Sequence, residues 1–166
     1  MRGDRAERLL EAERVAGRVA ASLGLEVVEF AFHSRGRHSQ LRIDIDRPGM
    51  PGAGLADCEA VARALDEPLE ALDFFDAPYE LQVSTPGLDR NIRSADDLRR
   101  NAGRPVRVEY RDEGNVVREA RGTLSQDASG GRIRVATEAG EIAVDADRIS
   151  LMKQEVMPPR GKRVKR

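Results

Sequence analysis

Few residues in this chain combine the type and the spacing that chemistry requires. In RIDID (42–46), Asp44 and Asp46 alternate along a strand pattern and share one face, where two carboxylates could hold a magnesium ion. No third ligand follows nearby, and solvated strand faces carry such pairs routinely, so the pair reads as exposed surface. His33 and His38 bracket HSRGRHS (33–39), a polar connection centred on Gly36, and read as exposed loop histidines. Cys58, the only cysteine, falls on the apolar side of a helical pattern, where a thiol behaves as a small hydrophobe. A single thiol excludes an internal disulfide and a multi-thiolate metal site, and fits a reducing cytoplasm. GMPGAG (49–54) sits between a strand and a helix, as a phosphate loop would, but lacks the Lys-Ser/Thr ending. Asp57 and Glu59 in the first helical turn already complement the helix dipole there. Its GxxG spacing, Gly49 to Gly52, follows a strand and contains Pro51, unlike the helix-flanked GxxG of an RNA-binding KH module. No GxSxG or HExxH occurs. The expectation is a protein that is not an enzyme, with no cofactor, no metal and no small-molecule substrate.

Two features carry binding chemistry instead. STPGLDR (84–90) places Pro86 and Gly87 at the second and third positions of a type II turn. Such a turn aims Asp89 and Arg90 at a domain junction, either as a hinge pinned by an ion pair or as a contact surface. The last ten residues, MPPRGKRVKR, hold Arg160, Lys162, Arg163, Lys165 and Arg166 with no acid. Pro158, Pro159 and Gly161 argue against a packed element, so this segment reads as a flexible basic arm suited to counterion-releasing contact with phosphates. Arg35, Arg37 and His38 on the polar connection are candidates to add to that contact with RNA or protein. Aromatic residues are only 4% of the chain, which argues against a base-stacking platform.

The net charge of −1 over 166 residues hides this division. Residues 1–90 sum to −6, residues 91–156 to zero, and the final ten to +5. No apolar run approaches the roughly 18 residues of a membrane span. MRGDRAERLL has no apolar core and does not read as a secretory signal. The chain reads as cytoplasmic, soluble and monomeric.

The elements that position these features follow from hydrophobic period. Residues 4–23 read as a helix, with Leu9, Val15, Ala16, Val19, Ala20 and Leu23 on one face. LEVVEFAF (25–32) and QLRIDID (40–46) read as two strands, the second with Leu41, Ile43 and Ile45 pointing one way. A second helix carries Leu55, Cys58, Val61, Ala62, Leu65, Leu69 and Leu72 at spacings of three and four; Pro68 should kink or split it. YELQVS (79–84) is a third strand burying Leu81 and Val83, completing an αββαβ two-layer sandwich over residues 1–90. Ser94 with Asp97 starts a short capped helix. Five short strand-like runs follow (105–110, 116–124, 132–137, 141–146 and 148–153), with Gly-bearing turns between several of them. They read as a small SH3/Sm-like barrel over residues 91–156. The fold class expected is α+β with two domains, followed by the basic arm at 157–166.

LQVSTPGLDR (81–90), preceded by LADCEAVARAL (55–65) and RIDID (42–46), resembles the RimP family of bacterial ribosome maturation factors. The resemblance in order and spacing runs from the first helix to Ile149. It falls on Ser84, Pro86, Gly87, Leu88, Asp89 and Arg90, and on Asp57, Cys58 and Glu59. Thr85, Asn91 and Pro68 depart from what that family commonly has at those places. The resemblance implies an α/β domain followed by an SH3/Sm-like barrel. It also implies a non-catalytic role in assembling the small (30S) ribosomal subunit, through a ribosomal protein and immature rRNA. A general RNA-binding regulator is the alternative, which the acidic first domain disfavours. An enzyme using the Gly-rich loop ranks last.

Overall fold

The computed structural model describes residues 2–35, 38–72, 78–125 and 131–156. The chain divides into two compact units, Met1–Arg47 with Pro51–Pro86, and Pro48–Met50 with Gly87–Arg166. Both are α+β.

The first unit contains α1 (Arg2–Ser22), β1 (Glu26–Arg35), β2 (His38–Asp46), α2 (Leu55–Ala71) and β3 (Tyr79–Ser84). Its sheet has the order β1-β2-β3, with β1 and β2 antiparallel and β2 and β3 parallel. Two helices supply the second layer. Ala12, Val15, Ala16 and Ala20 of α1 form one core with Leu41, Ile43 and Ile45 of β2 and with Cys58, Val61, Leu65 and Leu69 of α2. Leu81 and Val83 pack against it from β3.

Several details differ from the sequence reading. Leu55, expected on the apolar side of α2, is its first residue and is exposed. The two strands also run into HSRGRHS, so His33 lies in β1 and His38 opens β2 where loop histidines were expected. Leu23 lies beyond the end of α1 and is exposed, while Ala12, not among the residues read on the apolar face, is buried between Leu9 and Val15. Pro68 does not split α2, which runs on to Ala71. Pro68 lies in the last turn, where only the bond to the Ala64 carbonyl is forfeited, and Leu65 and Leu69 remain buried on either side. β1 carries a bulge between Val27 and Glu29. The extra residue shifts the alternation by one, so Val27, Phe30 and Phe32 all pack against the core.

The second unit opens with α3 (Ala95–Asn101) and continues with β4 (Pro105–Arg111), β5 (Val117–Leu124), β6 (Arg132–Thr137), β7 (Gly140–Asp145) and β8 (Ile149–Gln154). Each of the five strand-like runs is a strand, and a single 3-10 turn, Ala146–Arg148, joins β7 to β8. The sheet is antiparallel in the order β7-β6-β5-β4-β8. No ladder joins β7 to β8 among the described residues, so this is an open five-stranded sheet and not a closed barrel. Val106, Val108, Leu124, Ile133, Val135 and Met152 form its core with Ile92.

Gly122 marks where β5 changes neighbours. A Cβ there would stand 2.2 Å from the Ala136 carbonyl oxygen of β6, so only a residue without a side chain fits. At the turn between β4 and β5 the left-handed residue is Asn115, at φ 62°, and not the adjacent Gly114. Asn tolerates that region better than other non-glycine residues.

Candidate functional site

The polar residues of the first unit gather where the parallel strands β2 and β3 end and α2 begins. Asp44 and Asp46 are not the solvated pair that the alternation of β2 suggests: they are 2% and 7% exposed. Each is answered by hydrogen bonds. Asp44 lies opposite Ser84 in the parallel ladder. Arg42, two residues away on the same face of β2, donates to both Asp44 oxygens, Nε to Oδ1 and Nη2 to Oδ2, each at 3.0 Å. Ser84 Oγ lies 3.0 Å from Asp44 Oδ1 and 3.1 Å from the Thr85 carbonyl oxygen. Its one proton goes further toward the charged acceptor. Asp46 Oδ1 accepts from the backbone N–H of Arg47 at 2.8 Å and of Ala53 at 3.2 Å, which folds the Gly-rich loop back on the end of β2.

The N-terminus of α2 is occupied by its own carboxylate. Asp57 accepts from the Gly54 N–H at 2.9 Å through one oxygen and from Arg47 Nη2 at 2.7 Å through the other. An anion would have to displace that group, so the loop is a connection closed by Asp57. Cys58 is buried one residue further on, and burial pushes its thiol above its ordinary pKa.

This arrangement positions side chains and does not activate them. The oxygens of Asp44 are engaged by Arg42 and Ser84, and among the described residues no histidine bonds to Ser84. Among the described residues no group of three or more His, Cys, Asp or Glu side chains is placed to hold a metal ion.

The second half of STPGLDR belongs to the second unit, since the change of unit falls between Pro86 and Gly87. Gly87 has the left-handed φ of +73° that a Pro86-Gly87 type II turn would need, but the turn falls one step further on than the sequence reading placed it. The turn itself is centred on Leu88 and Asp89, and Leu88 is exposed. Asp89 pairs with Lys153 of β8 at 3.6 Å, and Arg90 lies 3.8 Å from Asp97 of α3. Both pairs lie inside the second unit. The next residue continues the attachment: Asn91 Oδ1 accepts from the Met152 N–H at 3.1 Å, and Ile92 N–H donates to the Met152 carbonyl at 2.8 Å.

Asp97 is the buried acid among the described residues of this unit, at 7% exposure. It accepts from the Ser94 N–H at 3.2 Å, while Ser94 Oγ accepts from the Asp97 N–H at 3.0 Å, the reciprocal cap that Ser94 and Asp97 predict. Arg100 donates to it at 2.7 Å. Burial alone would raise its pKa; the bonds from Ser94, Arg100 and the Arg93 backbone outweigh that and hold the carboxyl below its ordinary value. Arg104, 3% exposed, donates through Nε to the Gly49 carbonyl at 2.7 Å, within the same unit.

An open cleft of about 440 Å³ lies at the end of the second sheet, lined among others by Arg111, Asp112, Glu113, Asp147 and Arg148. Arg118 at 2.8 Å and the Val116 N–H hold the Asp112 carboxyl below its ordinary range. With both signs of charge in its wall, the cleft selects no ligand of one sign.

Of the cationic candidates, Arg37 and the whole segment 157–166, with Arg160, Lys162, Arg163, Lys165 and Arg166, lie outside the described residues. So do the side chains of Arg35 and His38. Sequence reasoning missed the burial of Asp44 and the buried Arg104. The spacing Arg42-x-Asp44 was the available signal for the first, because residues two apart on a strand share a face. Residues 15–89 match the family model of the RimP N-terminal domain, a span that runs from α1 through the first six residues of STPGLDR.

Proposed function

Because the chain belongs to the RimP family of ribosome maturation factors, we propose that it binds precursors of the small ribosomal subunit transiently and without catalysis. The observation that carries this reading is the match over residues 15–89, which includes Asp44, the Asp57–Glu59 helix start and Ser84 to Asp89. In this reading residues 1–90 and 91–156 act as two domains, and the chain works in the cytoplasm as a monomer. The second domain is an SH3/Sm-like module. Its first strand, β4, lies between the second and the last, β5 and β8, and a 3-10 turn precedes β8. That order and the close approach at Gly122 support the reading.

The contacts follow from the charge distribution. Ser84, Pro86, Gly87, Leu88, Asp89 and Arg90 set the passage from one domain to the other, with the exposed Leu88 and Asp89 available to a partner. Arg35, Arg37, His38 and the basic arm meet rRNA phosphates, and a ribosomal protein is the second partner. The test is sedimentation of the purified chain with small-subunit particles from cells that lack it, at two salt concentrations, with and without residues 157–166. Co-sedimentation with immature particles, together with accumulation of unprocessed small-subunit rRNA when the protein is lost, is the expected result. Absence of both rejects the reading.

A further inference from the structure

The outer side of β5 carries backbone groups that nothing among the described residues uses. β5 pairs with β4 along Val117–Thr123, but with β6 only at Thr123 and Leu124. In an antiparallel ladder, successive residues turn their N–H and C=O groups to opposite sides. The hairpin sets which side is which. Asp112 N–H donates to the Val116 carbonyl at 2.9 Å, so even-numbered residues of β5 face β4. Ser125 N–H donates to the Arg134 carbonyl at 2.9 Å, so odd-numbered residues face β6. Thr123 opposes Ala136 in that second ladder. Val117, Glu119 and Arg121 have no ladder partner there among the described residues, because β6 ends at Thr137 and turns into β7. Beside this open stretch Val116 and Val117 are 50% and 58% exposed.

We propose that Val117–Arg121 is a docking edge on which an extended segment of a protein partner adds as a further strand. The inference rests on the reading above and names how its protein partner is held. Backbone N–H and C=O groups in alternation are matched by another polypeptide strand. RNA offers phosphate oxygens as acceptors and 2′-hydroxyls that can donate, but the regular alternation of N–H and C=O along a strand edge is the pattern that another polypeptide strand itself repeats, so a peptide segment fits the edge better. A second copy of this chain fits poorly too. The antiparallel register that overlaps both five-residue windows is centred on Glu119 and sets it against its own copy, and like charges directly opposite destabilise a ladder. The partner segment therefore comes from a different chain, with an apolar residue against Val117 and polar residues across from Glu119 and Arg121, which pair with each other at 3.0 Å.

Amide hydrogen exchange on the full chain tests this, with small-subunit particles from cells lacking the protein as one probe and RNA extracted from those particles as the other. The amides of Val117, Glu119 and Arg121 exchange fast in the free chain and slow at least tenfold with particles, but not with RNA alone. Glu119→Pro removes one outward N–H without touching the β4 ladder, at an edge where proline is tolerated. It weakens co-sedimentation at least tenfold, whereas Glu119→Ala, which keeps the N–H, stays within threefold of the unmodified chain. Slow exchange already in the free chain, slowing by RNA alone, or particle binding that leaves these amides exchanging overturns the docking edge while sparing the broader reading. Failure of the unmodified chain to bind particles overturns both. Should Glu119→Pro not fold by circular dichroism, the exchange measurement on the unmodified chain decides.

Discussion

Asp44 in the first unit and Asp97 in the second are both buried carboxylates held by serine and arginine, yet they are built from different distances along the chain. Asp97 is satisfied within its own short helix: Ser94 and Arg100 each lie three residues away. Asp44 draws Arg42 from its own strand and Ser84 from forty residues downstream, and that last bond exists only because β2 and β3 lie parallel and in register. A local cluster forms as soon as its helix forms. A remote one reports that the sheet is assembled, and it sits where the motif leaves β3. The second unit has a remote constraint of its own, at Gly122 against Ala136.

If remoteness matters in this way, the remote positions should cost more to break than the local ones. Asp44→Ala leaves Arg42 and Ser84 facing a buried gap. It should lower the unfolding free energy in urea by about 3 kcal/mol, the low end of the range for breaking a buried pair because Arg42 is half exposed. An Asp44/Ser84 double-mutant cycle should show coupling near 1 kcal/mol, and additivity would remove Ser84 from the cluster. Gly122→Ala should cost about 2 kcal/mol, since the new methyl must push two strands apart. Resonance shifts from the substitution should concentrate at Val135 and Ala136; a neutral effect would mean that β5 and β6 separate freely. Ser94→Ala should cost about 1 kcal/mol, the usual loss of a helix cap.

The smallest effect is the pH dependence of the local cluster. The folded pKa of Asp97 lies below its unfolded value, so its charge stabilises the fold at all pH values above the unfolded carboxylate range. That contribution disappears as pH falls through the lowered folded pKa. Asp97→Asn should therefore flatten the acid limb of stability against pH below about 4, and leave the slope at neutral pH unchanged. An unchanged acid limb would show that the caps from Ser94 and Arg93 do not distinguish the charged form.

The elements were legible wherever their stabilisation is local. The three helices, the strands of both sheets, the Ser94–Asp97 cap and the left-handed Gly87 follow from period and from residue type. Val27 and Phe30 both facing the core was not legible, because the bulge between them breaks the alternation that a strand pattern assumes. The candidate site divides in the same way. STPGLDR stands out by its Pro-Gly pair, though its turn falls on Leu88 and Asp89, while Asp44 looked like solvated surface because alternation reports which face a residue is on, not what covers that face.

The sequence by itself determined the elements, the apolar faces that make two cores and the resemblance in which Ser84 to Arg90 take part. Tertiary structure alone decided that Asp44 is an anchor, that Asp89 and Arg90 find their ion pairs inside the second unit, and that β5 outruns β6 to leave an edge open among the described residues. Each of these depends on which strands become neighbours and in what register. Side-chain period is a property of one strand, whereas register is a property of two.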